Sequence, residues 1–165
     1  MYPEILLHID GVWTKGSGSR SQPVLNPASG EAIGAVPYAE KADLDQALAA
    51  AERGFAVWRK VSSFERYKIM RRAADILRSR AEDIARIMVQ EQGKPLAEAK
   101  GETLFGGDII DWFAEEGRRT YGRVVPARAE NIYQLVLKEP VGPVAAFTPW
   151  NFPINQAVRK ISIAL

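Results

Sequence analysis

The sequence predicts an α/β fold, and three observations carry this prediction. Short β-prone runs occur near both ends of the chain, and apolar residues recur at helical spacing between about residues 41 and 119. A short apolar run at 144–147 then leads into another helical stretch, which is how a βαβ unit begins. With 165 residues, of which 47% are hydrophobic, the chain is long enough for one domain or for part of a larger one.

The first expected element is a hairpin of two short strands, at 5–9 and 12–14. Asp10-Gly11 joins them, and this dipeptide accepts the positive φ that tight hairpin turns need. Residues 16–21 are Gly, Ser and Arg only, and turn-forming dipeptides follow between residues 26 and 30. We therefore expect an extended, turn-rich arm after the hairpin.

Apolar residues at helical spacing predict the first two helices. The first begins near residue 41, and its single apolar stripe indicates that it packs on a neighbour. The second begins near residue 63, because Ser62 and Glu65 match a capping box, in which each side chain binds the other residue's backbone N–H. The first stripe is Leu44, Leu48, Ala51, Phe55 and Trp58, and the second is Ile69, Met70, Ala73, Ile76 and Leu77.

Two more helices are predicted before residue 120. The third runs from about 81 to 91 and ends at Gly93, a left-handed C-cap. The fourth opens at Pro95 and runs towards residue 119. It contains glycines at 106–107, and each glycine costs about 1 kcal/mol in a helix interior, so the pair predicts close packing against a neighbour or a kink.

Strand-forming residues follow the fourth helix. Runs at 123–125 and 132–137 predict two sheet strands, and alternation in the second run indicates one solvent-facing side. Val-Ala-Ala-Phe at 144–147 is apolar throughout, as is typical of a parallel strand buried on both faces. Helical character returns from residue 153. No second parallel strand follows, and the apolar residues 161–165 carry no helix stop signal, so we expect the chain to be part of a longer protein.

Composition excludes several classes of function. The chain has no cysteine and a single histidine, His8, so we expect no disulfide and no metal site. The formal charge is only +2, and the basic residues between 68 and 80 alternate with acidic ones, so a nucleic-acid partner is not expected. No apolar run approaches the roughly 20 residues that span a bilayer, and the first residues lack the features of a secretory signal. We expect no membrane partner and a soluble cytoplasmic protein.

Asn151 is the residue best placed for chemistry. It follows the predicted buried strand, and ligands of open α/β sheets bind at the carboxyl ends of strands. Pro149 and Pro153 fix their own φ and bias the preceding residues to extended conformations, so they hold Asn151 in one geometry. An asparagine amide offers two N–H donors without ionising, which suits it to stabilise a developing oxyanion. The alternative is that Asn151 only forms a turn, as asparagine beside proline often does.

The residues around Asn151 resemble a known signature. Glu-Pro-Val-Gly at 139–142, followed by Pro-Trp-Asn-Phe-Pro at 149–153, is similar to the signature of the NAD(P)-dependent aldehyde dehydrogenases. The resemblance extends along the chain through Ile-Asp-Gly-Val-Trp at 9–13, Asn-Pro-Ala-Ser-Gly-Glu at 26–31 and Glu-Gln-Gly-Lys-Pro at 91–95. It implies an α/β fold that forms the N-terminal part of that family's structure.

The resemblance also implies a division of the chain into three parts. Residues 1–122 are the N-terminal arm and the helical part of the cofactor-binding domain, and residues 123–140 are oligomerisation strands. Residues 141–165 begin the Rossmann-like NAD(P)-binding core. A homodimer or homotetramer is implied for the complete protein. NAD and NADP are not distinguished, because the residues that read the ribose 2′ position follow the next parallel strand.

The resemblance assigns a catalytic role to Asn151. In this family a cysteine attacks the aldehyde, and the asparagine stabilises the oxyanion that results. Phe147, Thr148, Pro149 and Trp150 are placed beside the NAD or NADP cofactor, where mainly backbone groups meet the ribose and nicotinamide. As individual side chains, these four residues also fit simple packing at the end of a strand. Because the chain has no cysteine, we predict that this segment alone is inactive.

Phe152, Gln156 and Arg159 are the predicted substrate-binding residues. Gln156 and Arg159 are three apart on the predicted helix and share one face. Val-Arg-Lys at 158–160 resembles the Thr-Arg-Lys of succinate-semialdehyde dehydrogenases, where the arginine binds the distal carboxylate, and a guanidinium fork matches a carboxylate. The predicted substrate is succinate semialdehyde or a similar small acidic aldehyde, although Arg159 also fits a plain surface position. Gln156 stands where many relatives have methionine, so the pocket is expected to be more polar or to suit another aldehyde.

A function of a different class also fits the sequence. The 165 residues alone fit a non-catalytic assembly or binding module. Glu115-Glu116 is a further pair of carboxylates, but neighbours in sequence diverge on a helix, so a solvated helix end is preferred. His8 lies among β-prone residues without partners, and no catalytic role is assigned to it.

Overall fold

The computed structural model describes residues 2–165, which form three antiparallel hairpins and five α-helices. The strands are β1 (Leu7–Ile9), β2 (Val12–Thr14), β3 (Ser21–Leu25), β4 (Ala32–Pro37), β5 (Arg123–Pro126) and β6 (Tyr133–Val136). The helices are α1 (Lys41–Trp58), α2 (Ser63–Ser79), α3 (Ala81–Gln92), α4 (Leu96–Glu116) and α5 (Pro153–Ala164), with a 3₁₀ turn at Gly117–Arg119. None of the helices in residues 2–165 is long and apolar enough to cross a membrane.

The first predicted hairpin is confirmed. β1 pairs antiparallel with β2, with Leu7 opposite Thr14. Asp10 and Gly11 form the turn with φ of 52° and 79°, the positive values for which this dipeptide is suited. The turn chemistry alone was enough to locate this element.

The second hairpin, β3–β4, differs from the sequence prediction of an extended arm. Its turn is built by Asn26, whose side-chain Oδ1 accepts from the Ala28 N–H at 2.9 Å. The Asn26 carbonyl oxygen accepts from the Gly30 N–H at 2.7 Å. The turn residues are therefore recognisable in the sequence. The pairing is not, because β3 begins with polar residues and contains Pro23, which is rare inside sheets.

The four helices predicted between residues 41 and 119 are confirmed close to their expected bounds. Ser62 caps α2 by accepting from the Glu65 N–H at 3.2 Å. The reciprocal half of the capping box is not formed, because the Glu65 carboxylate accepts from Lys68 Nζ at 2.7 Å instead. Gly93 ends α3 with a φ of 74°, in the predicted left-handed conformation.

The core lies where α2, α3 and α5 pack on α4. Its buried residues are Met70, Ala74, Ile110 and Ala114 in one cluster and Ala85, Met88 and Ala99 in the other. The buried face of α2 is turned from the predicted stripe, because Ala74 rather than Ala73 is buried, and Ile69 and Ile76 remain 53% and 42% exposed. Val158 joins the first cluster and Ile154 the second, so α5 spans both.

Gly106 and Gly107 confirm the predicted close packing of α4. A Cβ atom at Gly106 would lie 3.0 Å from Ile154 Cγ2 and 3.2 Å from Leu77 Cδ2. A Cβ atom at Gly107 would lie 2.8 Å from Arg78 Nε. These approaches are closer than ordinary side-chain contacts, so the glycine pair lets α2 and α5 rest directly on the α4 backbone.

The first half of helix α1 is held by polar contacts rather than by its apolar stripe. Leu44 and Leu48 are 55% and 66% exposed, so the predicted packing is not found for this half within residues 2–165, whereas Phe55 and Trp58 at the end of the stripe are half-buried. Asp43 accepts from the Glu40 N–H at 2.8 Å and from the Ser17 N–H at 2.9 Å. These hydrogen bonds favour the charged carboxylate and lower the pKa of Asp43. They tie the N-terminal arm to the first turn of α1.

The region from residue 123 to residue 149 is the most exposed part of the molecule. β5 pairs with β6, with Val124 opposite Leu135, but every residue of both strands is exposed, where one buried face was expected. Residues 144–147 have no regular secondary structure, and Phe147 is 85% exposed, unlike the predicted buried strand. A parallel strand needs a neighbour for its N–H and C=O groups, and no strand within residues 2–165 pairs with this run.

Charged residues on α2 and α4 pair with one another. Asp111 accepts from Arg78 Nη2 at 2.7 Å and lies 2.9 Å from Arg71 Nη1. Glu115 and Glu116 each pair with the arginine three residues further along the chain. The basic residues of α2 are therefore partly neutralised. Glu115 and Glu116 each have an arginine partner of their own.

Candidate functional site

The predicted catalytic residue Asn151 lies in a bend at 150–152 that leads directly into α5. Asn151 is exposed, and none of the hydrogen bonds found within residues 2–165 uses its side-chain amide. Its backbone is held instead. Lys94 Nζ lies 3.4 Å from the Asn151 carbonyl oxygen, and Gln92 Nε2 donates to the Trp150 carbonyl oxygen. The amide is thus accessible to a ligand while the chain that carries it is anchored.

The carboxylate of Glu102, on α4, anchors the residues that follow the bend. Glu102 Oε1 accepts from the Ile154 N–H at 3.0 Å and from the Asn155 N–H at 3.2 Å. Both N–H groups belong to the first turn of α5, where no preceding helical carbonyl is available to them. A carboxylate also complements the positive end of the helix dipole. Glu102 therefore caps α5 from a neighbouring helix.

The second oxygen of the same carboxylate pairs with Lys94. Glu102 Oε2 lies 2.5 Å from Lys94 Nζ, and the two side chains are only 3% and 14% exposed. Removal of two charges from water is costly, so such a pair persists only where geometry and further hydrogen bonds compensate for the loss of hydration. The ammonium also lies 4.6 Å from the centre of the Phe152 ring, in a cation–π contact.

Helix α5 carries the predicted substrate residues on a face other than its packed one. Ile154 and Val158 pack on the core, whereas Gln156 is half-buried and Arg159 is exposed. Arg159 forms no ion pair with any residue in 2–165. Phe152, at the N-cap of the helix, is 47% exposed. The structure therefore places an uncompensated cation three residues from Gln156 on an accessible helix face.

The four predicted cofactor residues lie in two different settings along the chain. Trp150 belongs to the anchored bend, while Phe147 and Thr148 precede it in exposed chain. Phe147 lines an open groove of about 540 Å³, which lies between α1, residues 140–147 and the end of α5. Neither Asn151 nor Arg159 lines this groove, so it is separate from the bend.

Three residues that hold the bend were not identified as site residues from the sequence: Gln92, Lys94 and Glu102. Gln92 and Lys94 belong to the Glu-Gln-Gly-Lys-Pro motif at 91–95, so that motif is the signal that points to them. Glu102 occupies the apolar face of α4, because Ala99 and Gly106, three and four residues away, are buried. A carboxylate on such a face indicates a buried polar partner.

The remaining titratable residues form no second centre. Within residues 2–165, no group of three or more His, Cys, Asp or Glu side chains could hold a metal ion. The His8 ring packs against Trp13, with ring centres 4.5 Å apart. The Tyr2 hydroxyl donates to Glu91, and burial, together with this hydrogen bond, raises the pKa of Tyr2. This contact ties the N-terminal residues to the end of α3.

Comparison with known proteins identifies the family. The model of the aldehyde dehydrogenase family matches residues 13–165, so the chain belongs to the aldehyde dehydrogenase family. It is 44% identical over 158 residues to the non-phosphorylating aspartate-semialdehyde dehydrogenase of Halomonas elongata. This match covers 96% of this chain and 32% of that protein. It is 41% identical over 157 residues to the NADP⁺ succinate-semialdehyde dehydrogenase of Escherichia coli, covering 95% of this chain and 33% of that protein.

Solved structures confirm the predicted fold. The succinate-semialdehyde dehydrogenase of Burkholderia pseudomallei superposes with a TM-score of 0.93 at 41% identity, over 96% of this chain and 33% of that one. A double mutant of betaine aldehyde dehydrogenase from Staphylococcus aureus, in complex with NAD⁺, gives a TM-score of 0.91 at 29% identity, over 99% of this chain and 33% of that one. The chain thus spans about a third of the length of the relatives it matches.

Proposed function

We propose that this chain is part of an enzyme that oxidises an aldehyde to the carboxylic acid with NAD or NADP. The observation that carries the proposal is the bend at 150–152, in which Gln92 and Lys94 hold the backbone while the Asn151 amide stays exposed. Fixed N–H donors stabilise a developing oxyanion well, because they need no reorganisation during the reaction. Asn151 is the proposed oxyanion donor.

The reaction also needs a nucleophile, and the chain contains no cysteine. We assign that role to a cysteine in the part of the relatives' length that this chain does not cover. Its thiolate sulfur bonds to the aldehyde carbon as the C=O π bond breaks, and the carbonyl oxygen becomes an oxyanion that accepts from the Asn151 amide. When bound, NAD(P) would supply the acceptor for the hydride that leaves this carbon as the carbonyl re-forms. Water, activated by a glutamate that also lies outside the chain, then hydrolyses the thioester and releases the acid.

The cofactor and assembly assignments belong to the same proposal. Phe147, Thr148, Pro149 and Trp150 lie beside NAD(P) at the start of a Rossmann-like core that comprises residues 141–165. Residues 1–122 form the arm and the helical part of the cofactor-binding domain. Residues 123–140 are oligomerisation strands of a homodimer or homotetramer. The exposure of both faces of β5–β6 supports this last assignment, because a lone two-stranded hairpin is marginally stable without a partner surface.

The proposed substrate is a short aldehyde with a distal carboxylate, with succinate semialdehyde as the first choice. Both curated relatives described above are named for semialdehydes that carry such a carboxylate. Arg159 supports the assignment, because it is exposed and has no acidic partner within residues 2–165. A planar guanidinium accommodates a carboxylate with two parallel hydrogen bonds. Gln156 and Phe152 complete the proposed substrate wall.

The test replaces Arg159 by leucine in the complete enzyme. Loss of a charged hydrogen bond should raise the KM for succinate semialdehyde roughly 10- to 100-fold, while the KM for an uncharged aldehyde such as butanal changes little. Arg86→Leu is the matched control, since Arg86 is an exposed arginine on α3 whose partner is Glu82. Equal KM changes for both aldehydes in Arg159→Leu would contradict the carboxylate role.

The second candidate function, a non-catalytic assembly or binding module, is favoured by the absence of cysteine from the 165 residues. Intact mass and an activity assay on the natural protein separate the two candidates. A mass that corresponds to 165 residues, without aldehyde-dependent formation of NAD(P)H, supports the module. A longer polypeptide that reduces NAD(P)⁺ only when aldehyde is present supports the dehydrogenase.

A further inference from the structure

Three side chains from α3, from α4 and from the link between them converge on the bend at 150–152. Gln92 is the last residue of α3, Lys94 lies in the link between α3 and α4, and Glu102 lies one turn inside α4. Gln92 and Lys94 contact two backbone carbonyl oxygens within the bend, those of Trp150 and Asn151, and Glu102 contacts backbone N–H groups after it. The chain is therefore held on both sides of the Asn151 side chain.

We propose that Glu102 and Lys94 are positioning residues for catalysis and that their ion pair sets the direction of the Asn151 amide. The inference rests on the proposed function of Asn151 as the oxyanion donor. Glu102 is the residue that links the two halves of the arrangement, because Oε1 binds α5 and Oε2 binds the ammonium next to the Asn151 carbonyl oxygen. Neither residue touches the reacting atoms.

Proline alone does not determine this geometry. Pro149 and Pro153 fix their own φ, and Pro153 biases Phe152 to an extended conformation, but the torsions of Trp150 and Asn151 remain free to rotate. A carbonyl anchored by Lys94 and the first turn of α5 anchored by Glu102 remove that freedom. Precise placement matters, because a shift of about 1 Å in a catalytic group costs on the order of 100-fold in rate.

Burial makes the arrangement rigid. The two charged side chains are 3% and 14% exposed, so water does not readily replace either partner. If the Glu102 carboxylate is made neutral, Lys94 is left as a buried cation without its acidic partner and is expected to move towards solvent. Its contacts with the Asn151 carbonyl oxygen and the Phe152 ring are then lost together.

The first experiment measures steady-state kinetics of the complete enzyme with Glu102→Gln, which has nearly the same shape and keeps an oxygen for the α5 cap. We expect kcat to fall at least about tenfold, while KM changes less than about threefold. Asp111→Asn is the matched control, because Asp111 is also a partly buried carboxylate on α4, paired with Arg71 and Arg78. It should lower thermal stability and leave kcat unchanged.

The decisive comparison repeats Glu102→Gln in an Asn151→Ala background. If Glu102 acts through Asn151, Glu102→Gln should change the kcat of the Asn151→Ala enzyme less than about twofold, because the amide that Glu102 positions is already absent. A merely structural role predicts the same fold-loss of kcat in both backgrounds, and that result would overturn the inference. An unchanged kcat in Glu102→Gln alone would overturn it as well.

A measurement without substrate separates this inference from the proposed function. Hydrogen exchange at the Ile154 and Asn155 amides should accelerate at least about tenfold in Glu102→Ala, relative to Asp111→Asn. If the complete enzyme does not oxidise aldehydes, or Asn151→Ala leaves kcat unchanged, the proposed function fails, and exchange alone decides whether Glu102 holds the segment. Unchanged exchange at both amides overturns the positioning role whatever the activity.

Discussion

The packed helices α2 to α5 and the region from 123 to 149 are both rich in apolar residues, but the helices bury many of theirs and the region exposes its own. Met70 and Ala74 on α2 are 5% and 0% exposed, whereas Leu135 on β6 and Phe147 are 63% and 85% exposed. Apolar spacing determines which face of an element is available for burial. Actual burial requires a partner surface, and within residues 2–165 both clusters of buried apolar residues lie among the helices α2 to α5.

The difference also separates elements that form alone from elements that do not. A helix satisfies its backbone groups internally, so α1 is complete although Leu44 and Leu48 stay exposed. A parallel strand satisfies its backbone only through neighbours, so the run at 144–147 remains irregular. Stability should therefore depend strongly on the contacts of α4 and weakly on the region from 123 to 149.

The largest expected effect is at the contact between α4 and α5. Gly106→Leu forces a side chain into a space where even a Cβ atom lies 3.0 Å from Ile154 and 3.2 Å from Leu77. We expect the free energy of unfolding of the 165-residue chain to fall by about 3 kcal/mol, because overpacking shifts both helices. Urea denaturation followed by far-UV circular dichroism measures this change.

The control for that substitution lies on the same helix. A Cβ atom at Gly101 meets no atom within 4 Å, so Gly101→Leu adds helix propensity without a clash and should stabilise the chain by up to about 1 kcal/mol. If both substitutions lower the free energy of unfolding by a similar amount, leucine is unfavourable anywhere in α4. That result would contradict the distinction between a packed and an open side of α4.

An intermediate effect on stability is expected in the N-terminal arm, because the Asp43 carboxylate rather than apolar burial holds it. Hydrogen bonds from Glu40 and Ser17 keep the pKa of Asp43 below the value of about 3.9 that an aspartate has in an unfolded chain. Its contribution to stability is therefore complete above about pH 4 and is lost as the pH falls through the lower folded pKa. Asp43→Asn should lower the melting temperature at pH 7, and this difference should narrow towards pH 2.

Asp45→Asn is the comparison for the arm, since Asp45 is an exposed residue of α1 that pairs with Lys41. An exposed pair contributes about 0–1 kcal/mol, so this substitution should change the melting temperature little at either pH. If the two variants show the same pH profile, the arm is not held by the Asp43 carboxylate.

Much of the fold was predictable, because local signals decide it. The Asp10-Gly11 turn, the Ser62 cap and the left-handed Gly93 each depend on residues within a few positions of one another. The β3–β4 pairing and the burial of Ala74 in place of Ala73 depend on contacts across the chain, which spacing alone does not specify. Periodicity also overestimates burial wherever no partner is present.

The candidate site was predictable in part. The signature led to Asn151 and its flanking prolines, and the structure places Asn151 in an accessible bend. The residues that hold the bend lie 52 to 58 positions before the groups they contact, as the hydrogen bonds of Gln92, Lys94 and Glu102 show. Such contacts depend on the packing of α3 and α4 next to the bend, so no local pattern around Asn151 reveals them.

The smallest expected effect is in the exposed region itself. Phe147→Ser in the 165-residue chain should change the free energy of unfolding by less than about 0.5 kcal/mol, because Phe147 is 85% exposed. Phe113→Ser is the matched aromatic control, since Phe113 packs on the cluster of α2, α4 and α5, and it should cost about 2 kcal/mol or more.

If Phe147→Ser lowered the free energy of unfolding of that chain as much as Phe113→Ser does, the result would contradict the division between the two regions.

In the longer polypeptide proposed above, the opposite result is expected for Phe147→Ser. If residues 144–147 gain neighbouring strands there, Phe147 becomes buried and its replacement by serine should cost more than it does in the 165-residue chain. The difference between the two measurements would then report directly the partner surface that the apolar run requires.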